Sequence, residues 1–280
     1  MSPRRAGAQW ALLILVAVGW TAPVLPVHAY HAPNHEWVTG TAYSLEQGEF
    51  SLGLIRWEAG ILDELMVGVN LLPWVVGPFF GTVVPTGHVK VRDWFHDEFA
   101  MSLEGQFLYI DGSALLSEVA GGTQSKLLSL MMTASGSARW NDDFSTSLQL
   151  TYTVVNMRGD SDGLAFEGAA VLDSLQLAPL LEWRFSPLLA LHLQGRVLLY
   201  RAPPTVSLRY SPNDSTTVDA KLAANFVAPV GAWNVLPALA ISASHVNFKL
   251  GAGYGHRWLP VMGLVFSPGL VVDFDFFVRF

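Results

Sequence analysis

Residues 144–155 read Phe-Ser-Thr-Ser-Leu-Gln-Leu-Thr-Tyr-Thr-Val-Val, and this stretch decides the fold class. Phe144, Thr146, Leu148, Leu150, Tyr152 and Val154 share one parity, while Ser145, Ser147, Gln149, Thr151 and Thr153 share the other. Side chains change face at every residue of a strand and every 3.6 residues of a helix. The pattern therefore predicts a strand with one apolar and one hydrogen-bonding face. Other segments repeat it. Phe99, Met101, Leu103, Phe107 and Tyr109 oppose Ser102, Glu104 and Gln106. Leu128, Leu130, Met132 and Ala134 oppose Ser129, Thr133, Ser135 and Ser137. Leu175, Leu177, Leu181, Trp183 and Phe185 oppose Gln176, Glu182 and Arg184. Leu189, Leu191, Leu193, Val197 and Leu199 oppose His192, Gln194 and Arg196. The expected class is all-β.

Between these segments the connections alternate in length. Short ones fall at 61–64, 95–98, 141–143 and 186–187. Longer ones, rich in Gly, Pro, Ser and Asp, fall near 73–84, 111–123, 157–167 and 202–216. A meander with tight turns at one end and long loops at the other is the layout of an up-and-down outer-membrane barrel.

A soluble sandwich also alternates apolar and polar residues, and three features separate the two. Aromatics bracket the short turns on the apolar face (Phe95 with Phe99, Trp140 with Phe144, Trp183 with Phe185), as in an interfacial girdle. Charged residues are only 14% of the chain, against roughly 25% in a soluble domain, and mean hydropathy is +0.35. The chain also ends on a strand-like Asp-Phe-Asp-Phe-Phe-Val-Arg-Phe, residues 273–280, with Phe274, Phe276, Val278 and Phe280 on one face. A terminal aromatic of this kind makes the barrel assembly machinery an expected partner, contacted through the strand ending at Phe280.

Residues 1–29 read as a cleaved signal peptide. Arg4 and Arg5 precede an 11-residue apolar run from Trp10 to Trp20, and Val27-His-Ala29 forms a cleavage signal. The mature domain, 30–280, keeps 14 basic and 23 acidic residues, a balance that excludes a nucleic-acid binder. With no cysteine, disulfide scaffolds, thiol catalysis and zinc-thiolate sites are excluded as well. No phosphate loop, nucleotide fingerprint or calcium loop is present, so no cofactor is expected.

The expected barrel has twelve strands, ten being the alternative, centred on 37–45, 49–59, 65–73, 85–94, 99–110, 124–139, 144–155, 169–185, 188–201, 217–227, 242–256 and 270–280. Residues 228–241 read either as a turn or as part of a longer strand, and 30–48 as a strand or a plug. If the apolar face meets lipid, the polar face lines the lumen. The expected lining is Lys90, Arg92, Glu104, Gln106, Arg139, Glu182, Arg184, His192, Arg196, Asp219, Lys221, Lys249, Asp273, Asp275 and Arg279. Mixed signs suit either paired charges that fill the interior or a narrow conduit that selects solutes. Candidate chemistry is sparse. His31, His35 and Glu36 have metal-like spacing but sit around Pro33. Ser244 and His245 are the one hydrolase-like pair, yet adjacent strand residues face opposite ways. Asp63 reads as a turn residue.

Thr41-Ala-Tyr-Ser-Leu-Glu-Gln-Gly-Glu-Phe50, followed by Gly60-Ile-Leu-Asp-Glu-Leu-Met-Val-Gly68, resembles the opening of a loose group of poorly characterised outer-membrane β-barrel proteins. The terminal segment from Val271 to Phe280 is similar too. The resemblance covers about 40 residues and implies a barrel in the outer membrane of a Gram-negative cell. It carries over no catalytic or binding residue. The expected function is a narrow, porin-like channel or transport barrel for small solutes. The alternatives are an interaction barrel presenting its loops and an envelope lipid-modifying enzyme.

Overall fold

A computed structural model of the chain describes residues 37–80, 82–96, 98–113, 123–161, 166–202, 205–213, 216–223, 230–243, 245–259 and 264–280. Fourteen strands form in these residues. They are β1 (Phe50–Gly53), β2 (Arg56–Leu62), β3 (Leu65–Asn70), β4 (Thr86–His96), β5 (Phe99–Asp111), β6 (Thr123–Arg139), β7 (Phe144–Ser161), β8 (Phe166–Ser186), β9 (Leu189–Arg201), β10 (Thr205–Asn213), β11 (Thr216–Ala223), β12 (Trp233–Ala243), β13 (Val246–Leu259) and β14 (Leu264–Arg279). A short helix α1 (Leu71–Val76) and a 3-10 turn (Gly77–Phe80) link β3 to β4.

Twelve of the strands close a ring. Antiparallel pairing runs from β1 through β9 in chain order, then from β9 to β12, β13 and β14, and back from β14 to β1. β10 and β11 lie outside the ring. β10 pairs with the upper part of β8, from Thr205↔Val171 to Tyr210↔Phe166, and β11 pairs with β10. The barrel class and the count of twelve agree with the alternation in the sequence.

Individual strands were reassigned by the fold. Residues 37–45 form no strand; 217–223 belongs to the outlying hairpin, and 224–227 lies outside the described residues. The expected strand at 49–59 breaks at Leu54–Ile55 into β1 and β2, at a bend built of apolar residues that give no turn signal. Residues 233–243 form a ring strand through Pro237, whose side chain points outward beside β9. Pro is unfavourable inside a sheet because it gives no N–H to the ladder, which made this segment resemble a turn. The expected long loop at 157–167 is mostly strand, since the β7–β8 ladder continues to Ser161↔Phe166.

The two faces differ sharply. Leu103, Leu130, Leu148 and Leu250 are about half exposed, while Glu104, Ser129, Ser147 and Lys249 beside them are buried. Trp140, Trp183 and Phe185 stand exposed at the short-turn end. The side chain of Phe95 lies outside the described residues. An outward surface of Leu, Val and Phe between aromatic positions is the lipid-facing band of an outer-membrane barrel. Among the described residues no helix is long and apolar enough to cross a membrane. The strands do the crossing, because a closed ring leaves few backbone groups unpaired.

At the short-turn end the ring closes on itself. Phe50 N–H donates to Phe280 O (3.1 Å) and Phe280 N–H to Phe50 O (2.9 Å). Both ends of the barrel domain therefore lie at this end, the periplasmic side in barrels of this class.

Candidate functional site: a floored, charged lumen

Twelve strands about 4.8 Å apart, tilted by about 40°, enclose a ring roughly 24 Å across between backbone centres. Inward side chains narrow this to a bore that one peptide segment can span. Residues 37–49 do so. Ala42 N–H donates to Ser137 Oγ on β6 (2.8 Å). Trp37 packs edge-on against His192 of β9 (5.4 Å) and Phe277 of β14 (5.0 Å), with Lys249 Nζ of β13 5.7 Å from its ring. Leu45 packs with Met66 of β3. A segment that touches inward residues right round the ring lies inside it. All of these partners sit within a few residues of the short turns, so the segment is a floor across the periplasmic end.

Lys90 is the main clamp on that floor. From β4 its Nζ donates to Val38 O (3.0 Å), Thr41 O (2.9 Å) and Tyr43 O (2.5 Å). The ammonium is almost fully buried, and a buried charge needs such partners. Arg92 Nη2 donates to Asp63 O (2.6 Å), whose carboxylate accepts from Gln47 N–H (2.9 Å). Asp63, in the β2–β3 turn, thus also ties the floor to the wall. Arg279 Nη2 reaches Glu49 Oε2 at 2.7 Å. Gly60 is required by closeness: a Cβ there would lie 1.9 Å from Glu46 O.

Above the floor lies a cavity of about 220 Å³, with Val38, Thr39, Gly40 and Leu45 at its base. Its walls carry Arg56, Glu58, Glu104, Arg196, Lys249, Asp273 and Asp275. Some of these charges pair. Lys249 Nζ meets Asp273 Oδ2 at 2.8 Å, His88 Nε2 lies 3.2 Å from Glu58 Oε1, and Arg56 is shared loosely between Glu58 (3.7 Å) and Glu104 (3.6 Å). On the β8–β9 side Glu182 holds Arg184 (2.5 Å) and His192 (3.3 Å). Higher still the inward face turns apolar. Leu108, Leu127, Val155 and Leu172 from β5 to β8 form a buried cluster joined by Val84.

The structure turns Lys90, Arg92, Glu104, Gln106, Glu182, Arg184, His192, Lys249 and Arg279 inward and buries them. Arg196, Asp273 and Asp275 line the cavity, and Arg139 is half-buried on the inward parity. Asp219 and Lys221 fall on β11, outside the ring, and their side chains lie outside the described residues. So do residues 1–29, His31, His35, Glu36 and Ser244. His245 sits in the β12–β13 turn with Nδ1 2.8 Å from Arg279 O. Sequence reasoning missed Arg56, Glu58 and His88. Arg56 and Glu58 follow a two-residue apolar bend that hides the strand parity, whereas His88 shares the inward parity of Lys90 and Arg92, the signal that could have found it. Among the described residues no cluster of three metal-ligating side chains occurs.

No family model matches the chain, and no curated protein matches it. Solved structures do. The CymD monoaromatic hydrocarbon channel aligns over 84% of this chain and 89% of its own, at 8% identity and a TM-score of 0.47. CdiB from Acinetobacter baumannii aligns over 84% of this chain at 9% identity and a TM-score of 0.34, and the chain spans 60% of its length. BauA, the ferric preacinetobactin receptor from the same organism, aligns over 76% of this chain and 35% of its own, at 14% identity and a TM-score of 0.28.

Proposed function

We propose that the protein is a channel for small solutes in the outer membrane of a Gram-negative cell, delivered there by the signal peptide at 1–29 and assembled through the strand ending at Phe280. The observation that carries the reading is the cavity: a space of about 220 Å³ lined by both signs of charge inside a wall whose outer surface suits lipid. Charges that face a lumen across low-dielectric walls select what enters by sign and size. Arg196 and Asp275 line the cavity without a close salt bridge, facing Asp273 and the Lys249–Arg56 pair of cations at longer range, so a solute there meets both signs of charge. The floor makes the barrel a gated conduit rather than an open pore. Current through planar bilayers holding the purified protein tests this. Stepwise conductance that grows when residues 37–48 are deleted supports the reading, and silence of both forms at every polarity overturns it.

A second reading has one observation of its own. β8 runs for 21 residues, and β10 and β11 extend its sheet beyond the ring. That extension is a surface for a binding partner. Deleting residues 205–223 removes it and leaves every described ring strand in place, and loss of cell-surface binding with conductance intact favours this role.

A further inference from the structure

The barrel wall is not equally tall all the way round. β1 has four residues, β2 seven and β3 six, between β4 with 11 and β14 with 16. β1 meets β14 only from Ser51↔Arg279 to Gly53↔Phe277, and Leu54 N–H adds one bond to Phe276 O (3.0 Å). On β14 the even residues bond toward β1, since Phe280 and Phe276 do so, whereas Arg279 N–H bonds to His245 O on the β13 side. Phe274, Val272 and Leu270 therefore aim N–H and C=O at a continuation of β1 that is absent among the described residues. The next residue of that parity is Pro268, which has no N–H to leave unpaired; Pro is a usual occupant of a free edge.

Depth places this edge in the hydrocarbon. Five tilted residues from Phe50 to Leu54 rise roughly 13 Å, about half of an apolar band roughly 25 Å tall. Leu270 and Val272 just above are 69% and 62% exposed, among the barest apolar side chains of the wall. Across the gap stand Leu54 and Ile55 at the hairpin tip. Beyond them α1 starts directly off β3, with Leu71 N–H bonded to Ile55 O (2.7 Å), and exposes Leu72, Trp74 and Val75. The rim of the gap is apolar.

Just inside it the chemistry changes. Ile55 and Arg56 on one bank, and Asp273 and Asp275 on the other, all line the charged cavity. Unpaired ladder groups cannot face dry hydrocarbon. Water from the cavity is the nearest source of partners, so cavity and gap are continuous. The cavity floor is closed by residues 37–49, and its upper approach passes the apolar cluster around Leu108 and Leu127. A path that is greasy, then charged, then greasy again fits a molecule with both characters.

We infer that the gap between β14 and the tip of the β1–β2 hairpin is a lateral portal, through which a small amphipathic solute passes between the charged cavity and the outer-leaflet hydrocarbon. The polar head rests among Arg56, Asp273 and Asp275, and the apolar part lies against Leu54, Ile55 and Val272. The solute's passage rests on the channel reading; the lipid access of the cavity does not.

The chain has no cysteine, so single labels are clean. Asp275→Cys and, independently, Ile55→Cys are labelled with bimane and refolded into vesicles of phosphatidylcholine with brominated acyl chains. Thr151→Cys, nearly opposite on the same cavity, is the control. The portal predicts bromolipid quenching several times stronger at 275 and 55 than at 151, relieved at 55, where Asp273 and Asp275 are both intact, by octylamine and not by ethylamine. Equal quenching at the three positions overturns the portal even if the protein conducts. Strong quenching at 55 that octylamine and ethylamine relieve alike overturns the amphipathic solute. Strong, octylamine-sensitive quenching in a protein that never conducts supports the portal and sinks the channel through the floor.

Discussion

Replacing Lys90 by Met should loosen the floor without loosening the barrel. The ammonium donates to three carbonyls of the floor segment, Val38, Thr41 and Tyr43. Hydrogen bonds to a charged group contribute about 1.5–3 kcal/mol each. The gross loss is therefore roughly 4–9 kcal/mol, from which the relief of an ammonium's desolvation, several kcal/mol, must be subtracted. A net weakening of floor docking by about 2–4 kcal/mol raises the undocked-to-docked ratio roughly 30- to 1,000-fold. Methionine keeps the length and apolar bulk of the lysine stem, so packing beside its cross-strand neighbour Met66 is preserved. No ladder bond is touched, and the heat-induced gel shift of the folded barrel should stay within a few degrees. The assay is single-channel recording: Lys90→Met should show openings far more often than the parent, at the amplitude of the form lacking residues 37–48. If the deletion conducts and Lys90→Met stays as quiet as the parent, Lys90 is not the latch. If neither conducts, the floor does not gate the barrel.

Three further perturbations test separate parts of the account. Gly60→Ala puts a Cβ 1.9 Å from Glu46 O, so the floor must shift where it leaves the wall; increased conductance with an unchanged far-ultraviolet spectrum is expected. Leu103→Arg places a charge on the outward face about four residues above the periplasmic girdle and should lower folding stability into vesicles by about 2–4 kcal/mol, measured by denaturant titration; no loss would mean that this face is not in lipid. Deleting Phe280 removes both hydrogen bonds to Phe50 that close the seam, and should reduce the fraction of heat-shiftable, assembled barrel in envelopes while the unassembled chain accumulates.

The fold was legible wherever a strand has one face in lipid and one in the lumen. In β5, β6, β7, β8 and β9 the alternation marked both the strands and their inward side, because each residue's environment is set by its parity alone. It failed where that condition lapses. Residues 41–45, Thr-Ala-Tyr-Ser-Leu, are buried on every side, so parity carries no information about their surroundings and they act as a core. At Leu54–Ile55 the chain turns inside an apolar environment, where no Gly, Asn or Pro was needed to mark the bend. The candidate site divides in the same way. Glu104, Lys249 and Asp273 followed from parity, but that Lys90 clamps a floor rather than pairing with a carboxylate could not, since its partners are backbone carbonyls some 50 residues away.

The amino-acid sequence alone determined that this chain is an outer-membrane-type barrel with charges inside, because period-two alternation is local and lipid tolerates only one kind of outer face. Tertiary structure alone decided which twelve segments close the ring, that an N-terminal segment floors it, and that the wall is low beside β14. Those depend on ring closure and on contacts between residues far apart in the chain, where many pairings satisfy the same local pattern and only the packed interior chooses among them.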